Sequence, residues 1–285
     1  MADAICANTA LVGNMIGVDD VRIRGPVAAR MRAMWDEEKR GYPKLDEDEA
    51  LAMLGEACAK GDLARAKAAV GGGANVRYGG FTSFDGAPGT DTMRNAFTAV
   101  HVAALNDHPE LVRFLVVGAE ADADARDTNE IRGYTPCIRA CWDDKPRAVQ
   151  ALVEVNADVN RAATGSDYKG CTPCMMAAYF GNPACLRALG AAPTLDVNAV
   201  AAEGERKGKT ALDVALDHGY GNKEEAAAVL RDELGAKRAA DLTEDDKRKS
   251  IIKRIAANED GLTRVDLRGM TDAHAQALAA ALKTN

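Results

Sequence analysis

The sequence predicts a mainly α fold, a solenoid of stacked helix-turn-helix units, and three observations carry that prediction. One heptapeptide recurs as Thr98-Ala-Val-His-Val-Ala-Ala104, Thr135-Pro-Cys-Ile-Arg-Ala-Cys141, Thr172-Pro-Cys-Met-Met-Ala-Ala178 and Thr210-Ala-Leu-Asp-Val-Ala-Leu216, with starts 37, 37 and 38 residues apart. Each copy is followed at a fixed offset by a turn residue: Asp107, Asp144, Gly181 and Gly219. The middle three then carry a second apolar helix, over 111–116, 148–153 and 185–189. A period in this range is the mark of a repeat array, in which no unit buries its apolar face alone and each stacks on the next.

Within one unit the residue types fit their places. Thr135 and Thr172 can cap a helix through the side-chain oxygen, and Pro136 and Pro173 lose no needed N–H at the first helical position. Ala103, Ala104, Ala140, Ala177 and Ala178 are small enough to let neighbouring helices approach closely. An echo of a further element recurs as Gly73-Ala-Asn-Val76, Gly118-Ala-Glu-Ala-Asp122, Asn156-Ala-Asp-Val-Asn160 and Leu195-Asp-Val-Asn198. These signals, recurring in phase, resemble the ankyrin repeat, whose pattern is Gly-x-Thr-Pro-Leu-His-x-Ala-Ala, then Gly-His, a Val/Leu-rich helix and Gly-Ala-Asp-Val-Asn. The resemblance covers residues 47–236 and implies five units, the first degenerate around 54–61. Departures are Ala99 and Ala211 for proline, Ile138, Met175 and Asp213 for histidine, and cysteine twice for leucine; each is expected to weaken a turn.

Two flanks lie outside the array. In the first, residues 1–46, an amphipathic helix is expected over 26–40, with Val27, Met31, Met34 and Trp35 on one stripe, capping the first unit or serving as a docking helix. In the second, residues 237–285, a charged stretch precedes an Ile251/Ile252/Ile255 stripe, a Leu262-Thr-Arg-Val-Asp-Leu267 strand and an alanine-rich helix over 273–282. That strand and helix resemble one leucine-rich repeat of the ribonuclease-inhibitor or tropomodulin kind, a small leucine-rich-repeat-like or helical cap. The ending at Asn285, near where a second such unit would begin, leaves open a regulatory fragment of a longer multidomain protein.

A formal charge of −7 argues against a general nucleic-acid or anionic-membrane partner. Seven cysteines at irregular spacing do not form a disulfide framework and suit a reducing compartment, the cytoplasm or alternatively the nucleus. The apolar stretch 5–18 is interrupted by Asn8, Thr9 and Asn14 and has no basic residue before it, unlike a secretory signal.

Chemistry-bearing patterns dissolve into the repeat. Cys171-Thr-Pro-Cys174 has redox spacing, yet its Thr-Pro is the capping pair; a thiol redox or metal-binding role for Cys171 and Cys174, with Cys137 and Cys141, is the rival reading. Gly204-Glu-Arg-Lys-Gly-Lys-Thr210 has one residue too few between its glycines for a phosphate loop. None of the four histidines gathers a nucleophile and an orienter, and His101 stands at the histidine of the heptapeptide. No catalytic residue, metal or cofactor is expected.

The resemblance implies a non-catalytic, monomeric protein-binding module, acting as adaptor, scaffold or inhibitor. In the family, partners contact loop tips and the groove-facing residues of the first helices. By register the candidate contacts are Asn106, Trp142, Asp143, Tyr179, Phe180 and Asp217, with Arg139 and Met176 flanking. A second candidate group, Tyr78, Phe81 and Phe84, lies in the long loop 77–95.

Overall fold

Each first helix begins at a threonine that the heptapeptide supplies. In the computed structural model, which describes residues 23, 25–82, 95–127, 132–165, 168–247 and 249–250, Thr98, Thr135, Thr172 and Thr210 accept the N–H three residues on, at 3.4, 3.3, 3.3 and 3.3 Å. That bond satisfies a donor the helix itself leaves orphaned. A flank helix, α1 (Gly25–Glu38), precedes five helix pairs among the described residues: α2 (Glu47–Lys60) with α3 (Leu63–Gly72), α4 (Ala99–Leu105) with α5 (Pro109–Arg113), α6 (Pro136–Trp142) with α7 (Pro146–Glu154), α8 (Pro173–Phe180) with α9 (Pro183–Gly190), and α10 (Ala211–His218) with α11 (Lys223–Ala228). Helices α5 and α11 wind on into π turns, Phe114–Gly118 and Val229–Glu233.

The pairs stack in two layers. The first helices α2, α4, α6, α8 and α10 touch in succession, and the second helices α3, α5, α7, α9 and α11 form a parallel row behind them. Ala103, Ala104, Ala140, Ala177, Ala178 and Ala215 have no exposed surface, so the close approach expected of the small residues is realised. Side chains also bolt unit two to three, three to four, and four to the end of five. Asp107 Oδ1 accepts from Ala148 N, Asp124 Oδ1 from Asp158 N, Asn160 Oδ1 from Asp196 N and Asn198 Oδ1 from Lys237 N, at 2.7–2.8 Å. These bonds satisfy loop backbone that stacking takes out of water.

Three details differ from expectation. The flank helix runs Gly25–Glu38 and lies along the second-helix row instead of over the end of unit one. Ile23 N donates to Glu154 O and Asn156 Nδ2 donates to Ile23 O in unit three; Arg32 Nε donates to Val117 O in unit two; Lys67 of unit one pairs with Glu38 at 2.8 Å. Its stripe explains the choice, because Trp35 is buried edge-on against Phe114, centroids 4.9 Å apart, while Met34 stays exposed. The free end of unit one is polar instead, exposing Glu47, Asp48, Glu49 and Lys60.

The turn residue of unit five is also displaced. Asp107, Asp144 and Gly181 have φ of 57°, 52° and 67°, but Gly219 lies at −62° and the left-handed residue is Gly221 at 57°. Thr210 to Asn222 spans twelve positions where Thr172 to Asn182 spans ten, so the turn holds two extra residues. Finally, the long loop folds back: strand β1 (Phe81–Thr82) pairs antiparallel with β2 (Asn95–Phe97), Phe81 opposite Phe97, and Phe81 is fully buried against Tyr78. The segment resembling a leucine-rich repeat and Phe84 lie outside the described residues.

Candidate protein-binding surface

Helices α6 and α8 end on large rings, and the turn after α10 adds one more. Trp142 closes α6 and stacks on Phe180, the last residue of α8, with centroids 4.7 Å apart and planes at 23°. Tyr179 stands edge-on to Phe180 at 5.0 Å and to Tyr220 at 5.1 Å. The lengthened turn delivers Tyr220: its N–H donates to Tyr179 O at 2.7 Å, and its ring is 62% exposed. Gly181 makes room for this, since a Cβ there would run into Tyr220 O and Asn222 N. The outcome is a strip of rings in edge and stacked geometries, each pair worth about 0.5–1.5 kcal/mol beyond its buried area.

Two further rings support the strip from below. Tyr134 is fully buried 5.5 Å from Trp142, and Tyr168 lies 5.1 Å from Trp142 and 5.5 Å from Tyr179. Two arginines sit against them. Arg139 lies over Phe97 and Trp142 at 5.8 and 5.4 Å and pairs with Asp143 at 2.6 Å. Arg206 lies over Tyr168 and Tyr179 at 4.7 and 4.3 Å. Burial raises the pKa of Asp143 even though Arg139, next in weight, lowers it.

The expected contacts divide accordingly. Trp142, Tyr179 and Phe180 come together, half-buried, with Arg139 and Asp143 at one end. Met176 is fully buried and belongs to the core beneath the strip, as Phe81 belongs to the core beside unit two. Asn106 is spent on its own helix, donating to Val102 O at 2.9 Å. Asp217 is exposed and held by Lys209 and Arg238 at 2.8 and 3.1 Å. Tyr134, Tyr168, Arg206 and Tyr220 are not among the contacts expected from the sequence; of these only Tyr220 has a signal there, the two-residue excess in the last turn.

The cysteines are differently placed. Cys58, Cys137, Cys141, Cys171, Cys174 and Cys185 are all free and buried. Burial pushes Cys58 and Cys174 up to about 12 and raises Cys171 despite Arg206 beside it. A thiol so shifted is protonated at neutral pH and is a poor nucleophile or metal ligand. His101 is likewise spent. Its Nδ1 accepts from Thr98 N at 3.3 Å and its Nε2 donates to Tyr134 O at 3.1 Å, while burial lowers its pKa to about 4.

Residues 54–163 match the family model for ankyrin repeats, in three copies. The ankyrin threonine cap and paired helices continue through units four and five, so the fold is an ankyrin-repeat α-solenoid. Ankyrin repeats are in general protein-protein interaction modules and typically non-catalytic. No curated protein matches the chain. Among the described residues no helix is long and apolar enough to cross a membrane.

Proposed function

We propose that the protein recognises another protein, without chemistry of its own, through the aromatic strip formed by Trp142, Phe180, Tyr179 and Tyr220. The observation that carries this reading is continuity: rings from three consecutive units touch in series, and the last of them is 62% exposed. Tyrosine, tryptophan and arginine are the residues in which binding energy concentrates, and half-buried rings locked by their neighbours lose little freedom when a partner arrives. The role is that of an adaptor, scaffold or inhibitor presenting a preformed surface.

The test is capture from cell extract by the full chain, by Tyr179→Ser/Tyr220→Ser, and by Arg147→Ala/Gln150→Ala on the second-helix row, each shown to be folded by circular dichroism. A partner held by the first and third proteins and lost by the second supports the strip. Equal capture by all three moves the site elsewhere.

A further inference from the structure

Two arginines rest on the aromatic strip, and among the described residues only Arg139 is paired with an acid. Arg139 rests on Trp142 and Phe97 with the carboxylate of Asp143 at 2.6 Å. Arg206, in the loop before α10, rests over Tyr168 and Tyr179, which stand edge-on to each other, and is only 8% exposed. Among the described residues it forms no ion pair, and its Nε has no hydrogen-bond partner. Of the described acids nearest it in the chain, Glu203 pairs with Lys169 at 2.8 Å and Glu205 is exposed.

A cation drawn out of water without an anion is costly, and two ring faces return only part of that cost. The seat is therefore poised for a carboxylate. A planar guanidinium held against two rings is also pre-oriented for the two-pronged grip that carboxylates favour. Its charge is felt at the rim, where it acts to lower the pKa of the exposed Tyr220 against the larger upward push of the Tyr179 hydroxyl.

Resting on the reading of the strip as a protein-binding surface, we propose that Arg206 receives an aspartate or glutamate side chain of the partner, with an apolar or aromatic residue beside that acid laid on Tyr179 and Tyr220. The partner segment is thus acidic and apolar in close succession, and Arg206 supplies the charge selectivity that the rings lack. Charge complementarity of this kind discriminates partners more than it adds raw affinity.

The full chain is used to select from a library of random linear peptides, and the best binders are measured by fluorescence anisotropy. The expected result is enrichment of peptides with an acid next to a large apolar residue. Replacing that acid by its amide in the peptide should weaken binding about tenfold or more, as should Arg206→Met in a protein shown to keep its melting temperature. Binders that need Tyr179 and Tyr220 yet tolerate both changes overturn the role of Arg206 while leaving the strip intact. Selection yielding only binders indifferent to the tyrosines overturns the strip, and this proposal with it. The amide peptide requires no change in the protein, so a misfolded variant does not obscure the outcome.

Discussion

His101 in unit two and Asp213 in unit five occupy the same heptapeptide position and do the same work with opposite chemistry. Each accepts the N–H of its capping threonine, Thr98 or Thr210, at 3.3 and 3.0 Å. Each then reaches one element further along the chain. His101 donates to Tyr134 O of unit three, a second donor to a carbonyl that also accepts the Asp127 N–H; Asp213 accepts from Ala239 N at 2.8 Å and Arg238 Nε at 2.7 Å, donors that need an acceptor. The residue type follows what comes next. In unit two, where a carbonyl of the next unit lies within reach, a neutral imidazole fits; in unit five, where the flank presents donors, a carboxylate does; units three and four carry the apolar Ile138 and Met175 there. The departure that the heptapeptide comparison marks as a weakened turn is a fitting for the end of the stack.

The comparison breaks first at His101. Replacing it by leucine leaves the Thr98 N–H unsatisfied in the core and takes from the Tyr134 carbonyl one of its two donors, the Asp127 N–H remaining, and we expect a loss of about 2–4 kcal/mol at pH 7, read by urea denaturation. A loss no larger than that of the same change at Asp213 would remove the distinction between an interior joint and a terminal one.

Next in size is the pH response. His101 titrates near 4 when folded against an ordinary 6.5, so the stability it confers is complete above about 6.5 and lost as pH falls to about 4, roughly 3 kcal/mol in all. Asp124 and Asp127 oppose it: burial, the leading cause in each, raises both to about 6, so their contribution falls as pH rises through that value. The difference between wild type and His101→Gln isolates the histidine, and should shrink from pH 7 to pH 4. A constant difference would show that the imidazole is not held neutral.

Asp213 responds lower. Desolvation alone would raise its pKa, but Arg238, the Ala239 N–H and Thr210 together hold it at about 2. Its stabilisation is therefore present above about 4 and lost between about 4 and 2, about 1–2 kcal/mol once solvent screening beside the exposed Arg238 is allowed for. Asp213→Asn should accelerate amide hydrogen exchange at Ala239 while leaving His101 and its neighbours protected. Smallest is Arg238→Ala, which should barely move the urea midpoint because its side chain is 45% exposed and its ion pair is screened by solvent; a shift as large as that of Asp213→Asn would overturn the ranking.

Elements set by nearby residues were legible in the sequence. The threonine caps, the Thr-Pro starts at 135 and 172, the turn residues Asp107, Asp144 and Gly181, and the meeting of Trp142 with Phe180 all follow from the period and from local chemistry. What depended on contacts between loops of neighbouring units was not legible. Arg206 and Tyr168 sit in irregular segments, and only the stacking of units three, four and five brings them together. Tyr220 was accessible by counting, since two surplus residues after Thr210 have to go somewhere. The placement of α1 was not, because its apolar stripe specifies a surface to cover without saying which one.

That placement bears on how the molecule bends. A stack held by contacts between neighbours flexes at every joint, as a spring does. Helix α1 is fastened to units one, two and three through Lys67, Val117, Glu154 and Asn156. It acts as a splint across two joints, and the carboxyl flank does the same for the joint between units four and five, where Lys237 N donates to Asn198 Oδ1, Ser250 Oγ to Asp196 Oδ2, and Arg238 pairs with Asp213. Among the described residues the joint between units three and four is the one that neither flank spans, and the Trp142–Phe180 stack is the part of the strip that bridges it.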